Sequence, residues 1–82
     1  MISLSNELTN DDACYIETRV RDTLTAFTRM AGWNADWQVR LSPLTGSEFL
    51  VTVASVGRPI VSCTFGAPDD PVEELLQAAI ED

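Results

Sequence analysis

Phe65-Gly66-Ala67-Pro68-Asp69-Asp70-Pro71-Val72-Glu73-Glu74 is where the sequence changes from one periodicity to another. Ahead of it Val61, Cys63 and Phe65 alternate with polar residues, as in a half-buried strand. After it Val72, Leu75, Leu76 and Ala79 recur at helical spacing, flanked by Ile80, which predicts a helix over about Pro71 to Ile80. Asp70 suits the N-cap because its carboxylate can accept from first-turn amides, and Pro71 loses nothing there by lacking an N–H. Glu73 completes a capping-box spacing with Asp70, and Asp69, Glu73 and Glu74 suit the positive end of the helix dipole. The same residues form the densest charge in the sequence. They read either as capping chemistry alone or as a surface for a basic partner.

Moving outward, Trp37-Gln38-Val39-Arg40-Leu41 and Phe49-Leu50-Val51-Thr52-Val53-Ala54 alternate in the same way. They predict two more strands, joined by a turn rich in Pro43, Gly46 and Ser47, with Gly57 reversing the chain before a third strand that begins near Pro59. Trp37, Val39, Leu41, Phe49, Val51, Val53, Val61, Cys63 and Phe65 fall on the core face. The opposite face shows Gln38, Arg40, Leu50, Thr52, Ala54, Ile60, Ser62 and Thr64, where Leu50 and Ile60 on neighbouring strands, with Arg40 beside them, are a candidate dimer or partner contact.

Further upstream, Ile16, Val20, Leu24, Phe27 and Ala31 share one helical face. A helix from about Asn10 to Ala31 is expected, capped by Thr9 or its rival Asn10 and stopped at Gly32. The expected fold is therefore α+β, a two-layer sandwich of helix, three-stranded antiparallel sheet and helix (α-β-β-β-α), with both helices on one face. Its 82 residues make one domain, with residues 1–8 a flexible N-terminus.

Five arginines stand against thirteen carboxylates, a net charge of −8 with no lysine or histidine. That balance disfavours phosphate binding and favours basic protein partners. With no histidine, the usual base at neutral pH and the commonest metal ligand are both missing. Cys14 and Cys63 have neither zinc nor redox spacing and read as reduced thiols. The paired acids lack a calcium-loop pattern. No catalytic residue, metal or cofactor is expected. Trp33, just past the helix stop, is a candidate surface anchor. No signal peptide or membrane span is legible, so a soluble cytoplasmic protein is expected.

The order helix, three strands, helix resembles the double-stranded-RNA-binding domain, with Pro43 and Gly46 before the second strand, Phe49-Leu50-Val51-Thr52-Val53 within it, Gly57 in the hairpin, Gly66 before the last helix and Ala78-Ala79 late in it. That family carries basic residues at the start of the last helix. Here stand Asp69, Asp70, Glu73 and Glu74, so the resemblance implies topology and not RNA binding. In size, acidity and lack of catalytic residues the chain is also similar to small phage and mobile-element inhibitors, anti-CRISPR proteins among them. That likeness implies a non-enzymatic module whose Asp69, Asp70, Glu73 and Glu74, supported by Asp11 and Asp12, block a basic nucleic-acid-binding site on a host complex. The alternative is a homodimeric assembly protein paired through the open sheet face.

Overall fold

The computed structural model describes residues 2–31, 36–67 and 69–81. Its elements run β1 (Ile2–Asn6), α1 (Ala13–Ala31), β2 (Trp37–Pro43), β3 (Phe49–Ser55), β4 (Val61–Phe65) and α2 (Val72–Glu81). The sheet has four strands in the order β1-β2-β3-β4.

The α+β class holds, but the all-antiparallel three-stranded sheet is corrected to a four-stranded mixed one. Residues 2–6, expected to be flexible, form β1, which pairs parallel with β2 from Ile2 against Trp37 to Asn6 against Leu41. Resemblance to the double-stranded-RNA-binding layout is correspondingly incomplete, since a strand precedes its helix. Strands β2, β3 and β4 form the expected antiparallel meander, with Val39 opposite Val53 and Val53 opposite Val61.

Alternation decides the layers. Trp37, Val39, Leu41, Phe49, Val51, Val53 and Phe65 are buried on one face and join Ile16, Val20, Leu24, Val72, Leu76 and Ile80 from the two helices in one core. Phe49 and Phe65 stack across β3 and β4 with centroids 5.1 Å apart. Ile2, Leu4, Val61 and Cys63, on the outer strands, pack against that core while remaining half-exposed. Helix α1 lies toward β1 and α2 toward β4, and the two helices touch each other.

Helix α1 tolerates four threonines because each hydroxyl donates to the carbonyl four residues back, at 2.8 to 2.9 Å. Thr28 also accepts from the Trp37 indole N–H at 2.9 Å, tying the helix to the first residue of β2. Asn10 closes a turn ahead of the helix, its side-chain oxygen accepting from the Asp12 amide at 3.1 Å, and the first helical bond runs from the Ile16 amide to the Asp12 carbonyl at 2.9 Å, so Asp12 takes the cap position expected of Thr9 or Asn10. Trp33 and the Gly32 stop lie outside the described residues.

Candidate partner-binding surfaces

Strand direction places the charges. β1 ends at Asn6, β2 at Pro43 and β4 at Phe65, and β3 begins at Phe49; the register puts all four positions at one end of the sheet. The connections leaving that end carry Glu7, Asp11 and Asp12 after β1, Glu48 before β3, and Asp69 and Asp70 after β4, with Glu73 and Glu74 opening α2. Every acidic residue proposed from sequence as a binding group thus reaches a single pole.

Two arginines are spent within it. Arg40 on β2 forms an exposed pair with Glu7. Arg19 on α1 makes a two-point contact with Glu73, Nε to Oε1 at 3.0 Å and Nη2 to Oε2 at 2.7 Å. The same Nη2 donates to the Asp70 carbonyl at 2.7 Å, and the guanidinium lies 5.3 Å from the centre of the Tyr15 ring. With only 14% of its side chain exposed, Arg19 is a clamp between α1 and the start of α2. Glu73 therefore belongs in part to the fold, and its capping-box role is replaced. The Asp70 carboxylate turns backward, accepting from the Gly66 and Ala67 amides at 2.8 and 3.2 Å. Pro71 takes the cap position, its carbonyl accepting from the Leu75 amide at 3.1 Å. Asp69, Glu74, Asp11 and Asp12 remain exposed, though Asp69 lies close enough to Arg19 for their charges to interact.

Electrostatics follow these contacts. The Arg19 guanidinium, aided by Glu73's own backbone amide, holds the Glu73 carboxyl below the usual carboxylate range. Asn6 and then Arg21 do the same for Glu17, and Arg40 for Glu7. Carboxyls depressed in the fold stabilise it above their unfolded pKa, and that contribution is lost as pH falls through the folded one. Glu73→Gln should therefore reduce the stability lost between about pH 5 and pH 3, by under about 1 kcal/mol because the carboxylate is half-exposed. Urea midpoints of both proteins across that range test this; equal losses would show that the clamp contributes nothing through charge.

The open sheet face differs from expectation. Leu50 lies opposite Ser42 and Thr64, whereas Ile60 precedes β4 and is 70% exposed. In the β3–β4 register Ile60 would fall beside Ala54, four positions along β3 from Leu50, or roughly 13 Å. Leu50 and Ile60 do not form one patch. Arg40 is on that face as predicted, engaged with Glu7.

No family model matches the sequence, and no significant match was found among curated proteins or solved structures.

At the opposite end of the sheet a cavity of about 330 Å³ is bordered by Trp37, Val53, Pro59, Val61 and Ile80, with Arg58 and Glu81 also lining it. Cys14 is exposed on α1, and burial pushes the half-buried Cys63 thiol up. Among the described residues no cluster of three or more metal-ligating side chains occurs, and no helix is long and apolar enough to cross a membrane. Sequence reasoning missed Arg19 as the organiser of the acidic pole. Its partner Glu73 is 54 positions away, and no local pattern joins them.

Proposed function

We propose that the protein is a non-enzymatic binding module whose acidic pole docks on a basic, nucleic-acid-binding surface of another protein. The concrete form we favour is a phage-type, anti-CRISPR-like inhibitor acting in the cytoplasm of a host cell. The observation that carries this reading is the convergence of three separate connections, each acidic, on one end of the sheet. Charge scattered for solubility alone has no need to converge, and a focused negative field steers a basic partner and competes for its phosphate site.

The geometry also selects the variant that tests the idea. Asp70 and Glu73 hold the loop and the clamp, so neutralising them disturbs the fold. Asp11, Asp12, Asp69 and Glu74 are exposed and have no arginine bonded to them among the described residues. Replacing these four with Asn or Gln should cut salt-sensitive capture of basic nucleic-acid-binding proteins from host lysate by at least about tenfold. Each lost carboxylate at a helix N-terminus costs about 0.3 to 1 kcal/mol, so far-UV circular dichroism of the variant must match the wild type where capture is compared. Neutralising Asp22 and Glu81, outside the pole, should leave capture intact. Unchanged capture by the fourfold variant would overturn the reading.

A further inference from the structure

We infer that the free edge of β4 is a self-association surface, on which a second copy of this chain adds its own β4 antiparallel and extends the sheet across a twofold axis. This stands apart from the acidic pole.

The first observation is charge. From Pro59 to Pro68 the chain has no charged residue, its longest such run despite a net charge of −8, and that run contains an edge strand. Edge strands ordinarily carry charges, prolines or bulges that discourage pairing. At the other edge, α1 attends to β1: Arg21 Nη1 reaches the Ile2 carbonyl at 3.5 Å and the Asn6 amide bonds Glu17 at 3.0 Å. β4 itself, Val61 to Phe65, carries no charge; Arg58 and Glu81 lie at its beginning, where they line the cavity with Val61.

The second observation is an apolar flank running along the same edge. Glu73 and Gln77 turn toward α1, while Val72, Leu76 and Ile80 face the core. At 100° per residue, Leu75 and Ala79 then fall on the side of α2 away from α1, above the edge of β4. Leu75 is 46% exposed, Val61 and Cys63 on the edge strand are half-buried, and Ala79 lines one cavity with Val61.

Self-pairing satisfies both observations at once. Antiparallel strands centred on Cys63 set Val61 against the second copy's Phe65, and Ser62 against its Thr64, so apolar residues meet on the core face and hydroxyls on the open face. The same axis brings the two Leu75–Ala79 flanks together. A foreign strand matches the backbone alone; a second copy matches the flank as well.

Because both copies carry −8, screening strengthens this association, whereas it weakens docking of the acidic pole on a basic partner. Sedimentation at about 100 µM, in low and high salt, should give twice the 9.0 kDa chain mass, with more dimer at high salt. Leu75→Glu should return the mass to that of one chain with unchanged far-UV circular dichroism. In the wild type, amide exchange across residues 61–65 should slow as concentration rises. A single-chain mass for the wild type, a folded Leu75→Glu that still dimerises, or exchange at 61–65 indifferent to concentration would each overturn the proposal. Should Leu75→Glu fail to fold, the wild-type exchange measurement decides.

Discussion

Deletion of residues 2–6 should unfold the protein at ordinary temperature rather than merely shorten it. Those residues are β1, and their loss removes five paired positions from β2, leaving that strand as a new edge. Ile2 and Leu4 withdraw from the core, costing about 1 to 2 kcal/mol each for half-buried aliphatic side chains. Asn6 matters as much. Its side chain donates to the Ala13 carbonyl at 3.1 Å and accepts from the Leu8 amide at 3.0 Å, fixing the turn into α1 and the position of buried Leu8. Each lost hydrogen bond adds about 0.5 to 1.5 kcal/mol. Against a total of roughly 4 to 12 kcal/mol for a chain of this length, the sum consumes most of the margin. Far-UV circular dichroism of the shortened chain reads the outcome. A cooperative urea transition near the wild-type midpoint would mean that β1 is an ornament on a self-sufficient meander.

Phe49→Ala should be the most damaging single substitution among those considered, lowering stability by about 3 to 5 kcal/mol. Phe49 is fully buried at the first position of β3, flanked in register by Pro43 and Phe65 and stacked on the Phe65 ring at 21° between planes. Truncation there leaves a void at the end of the sheet from which the acidic connections leave, and the surrounding strands cannot collapse into it without breaking register. A urea midpoint within experimental error of the wild type would show that this end of the core is loosely packed. Partial loss of the proposed docking by the acidic pole, at temperatures where the rest of the chain stays folded, would be a corollary of the same void.

The meander was legible because each strand repeats its alternation with large residues, Trp37 to Leu41, Phe49 to Val53 and Val61 to Phe65, and Gly57, at positive φ, marks one reversal. Ile2-Ser3-Leu4-Ser5-Asn6 alternates too, yet it has only two apolar residues, and its partner begins about 35 positions later with α1 between. No turn signal accompanies a parallel pairing of that span. The acids of the candidate site could be read one by one, but their convergence depends on strand order and direction, and so on β1. Asp70 illustrates the limit of local chemistry. Amides on both its sides need an acceptor, and only the folded loop decides that Gly66 and Ala67 receive it.

The polarity that gathers the acids also settles how the molecule can be held. Ile2 stands in register with Trp37 and Ser55, and α2 runs back along the sheet until Ile80 and Glu81 border the same cavity as Trp37 and Ser55. Both ends of the described chain therefore emerge at the pole opposite Asp11, Asp12, Asp69 and Glu74. A tag or tether joined at either end anchors the protein by its far side, and an immobilised layer presents the carboxylates to whatever flows past.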